Sequence, residues 1–345
     1  MKIGVPKESA SHEKRVALTP DGAKALVSKG FEVLVQNGAG LEAGFDDESY
    51  VAAGASLVSN AYEKSDLVVG VNGPSDAQAK NEAALIREGG AILTFLFPAS
   101  NLKTVTLMLE RKVTSFAMEL IPRITRAQSM DALSSMSTIA GYKGALLAAH
   151  EAPKFFPMLM TAAGTLAPAK VFVIGAGVAG LQAIATCKRL GAIVEAFDVR
   201  PAVKEQVESL GARFAQMPTA MDDAEDASGY AKEVSGDTHV KELEFIASRL
   251  PKYDVVITTA LIPGRPAPTL ITNEMVSHMH RGSIIVDLAA INGGNCEATV
   301  PGEKVVVNGV TILGPTNLLS DMATDASRMY SKNITEFLLN LAPEG

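Results

Sequence analysis

Cysteine is nearly absent from this chain: of 345 residues, only Cys187 and Cys296 carry a thiol. Two cysteines make no disulfide framework for a chain this long, and their scarcity favours a reducing compartment. Histidine is also scarce. His12, His150, His239, His278 and His280 lie at no metal-ligand spacing. His278 and His280, two apart on an expected helix, point to different faces. All five are read as structural or solvated, and no metal site is expected. There is no block of Lys and Arg, and the formal charge is −7, which argues against a nucleic-acid partner. The first residues, MKIGVPKES, lack the apolar core of a signal peptide. Long apolar runs are missing as well. The longest uncharged stretch, residues 171–187, holds Gly175, Gly177 and Gly180 and reads as strand, turn and helix rather than a membrane span. The chain is expected to be soluble, with no direct membrane insertion.

What is present is apolar and alternating. Hydrophobic residues make up 47% and charged residues 20%, enough for two buried cores at roughly 100–200 residues per domain. Short apolar runs predict strands at 2–5, 32–36, 67–71, 91–95 and 113–116. They recur at 171–174, 193–198, 213–216, 254–258, 283–287, 304–307 and 311–313. Helical stretches fall between them, among them 20–29, 47–53 and 101–110. Near-continuous apolar strands alternating with helices indicate parallel sheets covered on both faces. Two Rossmann-like doubly wound parallel-sheet domains with a cleft between them are expected. The first takes residues 1–130 with 316–345, the C-terminal helix returning to it. The second takes 131–315, entered through a connector helix at 131–150 that is rich in small residues. Residues 217–237 (MPTAMDDAEDASGYAKEVSGD) break the pattern. They are acidic, polar and too long for an ordinary connection, which marks them as functional or disordered.

Residues 171–180 read VFVIGAGVAG, a G-x-G-x-x-G directly after an apolar strand and opening a helix. Gly175 allows the tight turn, Gly177 a close backbone approach to a pyrophosphate, and Gly180 close packing of helix on strand. The helix N-terminus offers N–H groups and a positive dipole end to the phosphates. Asp198 ends the next strand. A carboxylate there accepts from the adenine-ribose hydroxyls and repels the 2′-phosphate of NADP, so NAD(H) is the expected cofactor. Arg200 is close enough in sequence to take such a phosphate. Residues 258–268 (TTALIPGRPAP) follow the fourth strand at the carboxyl edge and suit either a wall against the cofactor or a rigid surface loop.

Three stretches resemble one superfamily. Residues 4–20, GVPKESASHEKRVALTP, are similar to a signature shared by alanine dehydrogenases and proton-translocating nicotinamide nucleotide transhydrogenases, with His12 where the family usually has Asn. The glycine fingerprint is the second. Residues 122–142, PRITRAQSMDALSSMSTIAGY, resemble the transhydrogenases specifically. This resemblance implies an NAD(H)-binding component that exchanges hydride with NADP(H) on a separate component, while a membrane component couples the exchange to proton translocation. It implies a homodimer. It also implies a cytoplasmic location, peripheral at the inner membrane through partner subunits, or on the matrix side in a mitochondrion. Arg123, Gln128, Asp131 and Ser134 would then hold the nicotinamide end, and Tyr230 would belong to a mobile lid. The full expected cofactor-binding set is Gly175, Gly177, Val178, Gly180, Asp198, Val199, Arg200, Gly229, Tyr230, Thr259, Ala260 and Leu261. From spacing alone, residues 123–134 read equally as a helix N-terminus capped by Ser129 or Asp131. Hydride transfer between two nicotinamides releases no proton, so it needs only the two carbons about 3–3.5 Å apart with water excluded.

Alanine dehydrogenase is the rival reading. Its imine chemistry needs an acid/base group and a cationic carboxylate anchor. The resemblance would put a histidine in 95–100, where the sequence is FLFPAS, and a lysine near 69–72, where it is VGVN. It would put an aspartate where Ile291 stands. Only Arg15 remains. A non-catalytic NAD-binding module is a further alternative.

Overall fold

A computed structural model of the chain describes residues 1–10, 12–74, 83–217, 236–262 and 265–345. It divides into two compact units, one of residues 1–136 with 319–345 and the other of residues 137–318.

The first unit is a six-stranded parallel sheet. Its strands are β1 (Lys2–Val5), β2 (Glu32–Gln36), β3 (Ser56–Val58), β4 (Leu67–Asn72), β5 (Ala91–Phe95) and β6 (Thr114–Ala117). They lie in the order β3-β2-β1-β4-β5-β6. That order, with the chain reversing direction across the sheet after β3, is a doubly wound arrangement. Strand β4 is buried along Leu67–Val71, as a strand covered on both faces must be. Helices α1 (Pro20–Val27), α2 (Asp47–Ala52) and α3 (Leu102–Glu110) connect the strands. Pro20 at the first turn of α1 fits because its missing N–H would have no partner there.

The second unit carries β9 (Lys170–Ile174), β10 (Ile193–Phe197), β11 (Arg213–Phe214), β12 (Val255–Thr258), β13 (Ile284–Asp287), β14 (Lys304–Val307) and β15 (Val310–Leu313). Their order is β11-β10-β9-β12-β13-β15-β14, parallel except for the antiparallel edge strand β14. Two apolar clusters fill its faces, one with Val171, Val173, Ala183 and Ile184, the other with Phe172, Ile174, Phe197 and Ile285. Helix α5 (Val178–Arg189) follows the glycine turn, and α6 (Lys204–Ser209), α7 (Gly236–Ala247) and α8 (Asn273–Ser277) come after it. Cys187 and Cys296 are free and buried.

The strand positions read from the sequence recur here, with three departures. Strand β3 is three residues long, too short for any periodic signal. The pair β7 (Leu159–Thr161) and β8 (Gly164–Leu166) forms a separate two-stranded sheet. It escapes the sequence reading because none of its residues is buried and no alternation marks it. Strand β11 stops at Phe214 rather than at residue 216.

Helix α4 (Ala132–Glu151) runs unbroken through Gly141 and Gly144. A Cβ on Gly141 would come within 2.1 Å of the Ala179 carbonyl, so this glycine permits backbone contact at the start of α5. The last helix, α9 (Ala323–Leu341), buries hydroxyls. Ser327 accepts from the Val16 N–H and Ser331 from the Thr19 N–H, each at 3.0 Å. Those bonds satisfy buried backbone donors that no strand or helix pairs.

Of the acidic segment 217–237, residues 218–235 lie outside the described residues, and with them the expected Gly229 and Tyr230. Among the described residues, no helix is long and apolar enough to cross a membrane. Among them, no group of three or more His, Cys, Asp and Glu could hold a metal ion.

Candidate functional site

At the carboxyl edge of the second sheet, β9 ends at Ile174 and the chain turns through Gly175, which has φ +96°. Only glycine takes that conformation without strain. Its N–H donates to the Phe197 carbonyl at 2.8 Å. The three glycines differ in what their neighbours require. A Cβ on Gly180 would stand 1.9 Å from the Gly175 carbonyl oxygen, and one on Gly175 would stand 2.6 Å from Thr259 Oγ1. Internal packing therefore demands both. A Cβ on Gly177 would meet nothing within 4 Å. Gly177 precedes α5 with φ −74° and no side-chain cap, so protein packing gives no reason for a glycine there. The open space faces the unpaired N–H groups at a helix N-terminus, starting with Val178. A cradle that a Cβ would fill, at the positive end of a helix, fits a pyrophosphate.

Asp198 stands beside this turn. Its Oδ2 accepts from the Ala176 N–H at 2.7 Å, tying β10 to the glycine turn. The Arg200 guanidinium forks onto the same carboxylate, Nε to Oδ1 at 2.9 Å and Nη2 to Oδ2 at 2.8 Å. Val199 between them packs on the apolar cluster of Phe172 and Ile174. On the other side, Thr259 donates from N–H to the Ile174 carbonyl at 2.8 Å and from Oγ1 to the Gly175 carbonyl at 3.1 Å. Ala260 is half-buried and Leu261 exposed.

Sequence reasoning misses what holds this wall. Asp287, fully buried at the end of β13, accepts from Thr258 Oγ1, Thr299 Oγ1 and the N–H groups of Ala289, Asn295 and Cys296, at 2.7–3.0 Å. Asn295, also fully buried, accepts from the Ala260 N–H and donates to the carbonyls of Ala260 and Pro268. The one signal for it in the sequence is an aspartate at the carboxyl end of a strand, followed by a run of small residues.

In the first unit, Arg123, Gln128, Asp131 and Ser134 line one hollow of about 290 Å³. Arg123 and Gln128 are exposed, and Asp131 and Ser134 half-buried. Asp131 caps α4: its Oδ1 accepts from the Ser134 N–H at 2.9 Å and its Oδ2 from Ser134 Oγ at 2.6 Å. Arg123 Nε lies 3.8 Å from Asp131 Oδ2. The 3-10 turn Thr125–Met130 presents Gln128. Asn333 of α9 braces that turn, donating to the Ser129 carbonyl at 2.7 Å.

Arg15 is buried and bound to Glu13, Nη2 to Oε2 at 2.5 Å and Nε to Oε1 at 2.7 Å. Asn72 Nδ2 and Ser320 Oγ also donate to Glu13, each at 2.8 Å. Burial pushes the Glu13 carboxyl up, but Arg15 and Asn72 outweigh it and hold it below the ordinary carboxylate range. Glu8 lies in the same segment and accepts from the N–H groups of Val71 and Asn72. Desolvation, opposed by those bonds, raises its carboxyl to about 7.

Residues 4–140 match the family described as alanine dehydrogenase/PNT, N-terminal domain, and residues 144–345 match its C-terminal domain. The chain is 51% identical over 343 residues to an NAD(P) transhydrogenase subunit alpha protein of Rhodospirillum rubrum, covering 98% of this chain and 89% of that protein. It is 33% identical over 356 residues to an alanine dehydrogenase of Halomonas elongata, covering 100% and 88%. The crystal structure of a transhydrogenase from Sinorhizobium meliloti superposes with a TM-score of 0.89 at 43% identity, covering 100% of this chain and 94% of that one. The chain belongs to the alanine dehydrogenase/PNT family and is similar over nearly its whole length to an NAD(P) transhydrogenase alpha component.

Proposed function

We propose that this chain is the NAD(H)-binding component of a proton-translocating transhydrogenase, exchanging hydride with NADP(H) held on a partner component. One observation carries the cofactor half of this reading: Gly177, free of any internal steric demand, opens a cradle at the N-terminus of α5. When bound, NAD(H) supplies the nicotinamide carbon that gives or takes the hydride. The chain's own residues bind and orient. N–H groups at the start of α5 take the phosphates, Asp198 takes the adenine ribose, and Thr259, Ala260 and Leu261 wall the cofactor. Gln128 and Ser134 hold the carboxamide, with Arg123 and Asp131 ordering the loop. No general acid or base is asked of the chain.

The fate of Arg15 argues against amino-acid chemistry. A carboxylate anchor must offer its guanidinium to substrate, and here both ends of the fork are committed to Glu13. Ile291 is 69% exposed and carries no acid/base group. A second nicotinamide, rather than alanine, suits such a site. The partner would be the NADP(H)-binding component. A membrane component would couple the exchange to proton movement and keep this chain peripheral at the cytoplasmic face of the inner membrane. A homodimer is supported by the β7–β8 hairpin. A lone hairpin is marginal in water, and this one exposes Met160 at 79% and Leu166 at 43%.

The test mixes the chain with an NADP(H)-binding component and follows hydride transfer to a nicotinamide analogue. Turnover that requires both proteins supports the proposal. Tight NADH binding without turnover favours a binding module alone.

A further inference from the structure

The Asp198 carboxylate is saturated. A carboxylate offers about four lone-pair positions, and Asp198 receives four donors: Ala176 N–H, Arg200 N–H, Arg200 Nε and Arg200 Nη2. The two backbone donors are built into the turn. The two guanidinium donors are not, because they come from a side chain that rotates. They reach the carboxylate as a planar fork, and the vicinal hydroxyls of a ribose are also a fork of two adjacent donors. Arg200 therefore occupies the acceptor positions that a ribose diol would use. The pair is shielded from water, with side-chain exposures of 11% for Arg200 and 5% for Asp198, so its charges are little screened.

The consequence concerns discrimination as well as affinity. A bare carboxylate at this position excludes a 2′-phosphate by charge repulsion. A carboxylate paired with a guanidinium is neutral. When a diol displaces the fork, the guanidinium stays tethered two residues from Asp198, where a 2′-phosphate would meet a cation. A second acid adds to the local charge. Glu242 is 5% exposed and accepts at 3.2 Å from His239 Nδ1. Burial first, opposed by His239 and reinforced by the Asp198 charge, holds its carboxyl above the ordinary range.

We propose that Arg200 is a latch on the ribose-binding carboxylate, lowering affinity for NAD(H) and blunting the exclusion of NADP(H). This rests on the NAD(H) reading above. Arg200 is thus a specificity-determining residue whose removal sharpens selectivity.

The test measures dissociation constants by calorimetry for NADH, NADPH and ADP-ribose on the wild-type chain, on Arg200→Ala and on Arg200→Gln. The glutamine variant retains side-chain bulk if alanine compromises folding. Releasing two charge-assisted bonds is expected to tighten NADH and ADP-ribose about tenfold. NADPH is expected to bind no more tightly than to wild type, so the NADH-to-NADPH preference widens about tenfold or more. ADP-ribose lacks the nicotinamide, so its response assigns the effect to the adenosine end. Wild-type binding with an unchanged preference in both variants overturns the latch alone, as does equal weakening of both nucleotides. Failure of the wild-type chain to bind NADH or ADP-ribose overturns the NAD(H) reading and the latch with it.

Discussion

The side-chain amide of Asn295 pairs with both backbone groups of Ala260, accepting its N–H at 3.0 Å and donating to its carbonyl at 2.9 Å. It does for the segment after β12 what a neighbouring strand would do. Asp287 in turn fixes Asn295 by accepting its N–H at 2.7 Å. The wall assigned to the cofactor is thus held by a fully buried pair that sits behind it.

Truncating Asn295 to alanine strands the Ala260 N–H and the carbonyls of Ala260 and Pro268. The expected loss is about 3 kcal/mol of unfolding free energy, from unsatisfied buried groups, with weaker NADH binding. Urea unfolding with parallel titration measures both. Unchanged stability would mean that water replaces the amide.

Two glycine variants separate folding from binding. Gly177→Ala places its Cβ in open space, so the melting temperature should stay within a few degrees while NADH affinity falls about tenfold or more. Gly180→Ala drives a Cβ into the Gly175 carbonyl and should lower the melting temperature outright. If Gly177→Ala binds NADH normally, the cradle is not the phosphate site.

Asp131 has two readings that one substitution distinguishes. Asparagine caps helices as well as aspartate, so Asp131→Asn should keep stability within about 1 kcal/mol. It removes the charge facing Arg123. If the loop positions the nicotinamide, hydride transfer falls about tenfold or more while the NADH dissociation constant moves little. An unchanged rate would leave Asp131 a cap alone.

How much of this is legible in the sequence follows from how local each feature is. The β9 turn and the opening of α5 form a contiguous stretch, and its glycines are written in order. The Asp287 hub is not contiguous, because it gathers donors from Thr258 to Thr299, and only the folded sheet edge brings them together. Asp198 is recognisable as an acceptor, but its saturation by Arg200 depends on a rotamer that spacing does not encode. Ser327 and Ser331 in α9 read as solvent-facing polar residues. They are buried because β1 is followed by an irregular segment whose N–H groups need acceptors. The β7–β8 hairpin leaves no trace because sequence patterning reports burial, and none of its residues is buried.

Acid stability should show two windows in the first unit. Glu8, raised from 4.5 to about 7, favours the folded state most when protonated. Its contribution is fully present below 4.5 and is lost as pH rises through 7, a decline of about 3 kcal/mol. Glu13, held low by Arg15 against its own burial, contributes above 4.5 and loses that contribution as pH falls further. Denaturant unfolding of Glu8→Gln from mildly acidic to mildly basic pH should lack the decline seen in the wild-type chain. An equal decline in both would assign it to other groups.

Hydride exchange itself is tested most directly by supplying NADPH on a partner component and a nicotinamide analogue of NAD⁺ to this chain, then following reduction of the analogue. Reduction that needs both proteins is expected, and none when L-alanine and NAD⁺ are supplied to this chain alone. Alanine-dependent NADH formation, or a mixture that binds both nucleotides without exchanging hydride, would contradict the assignment.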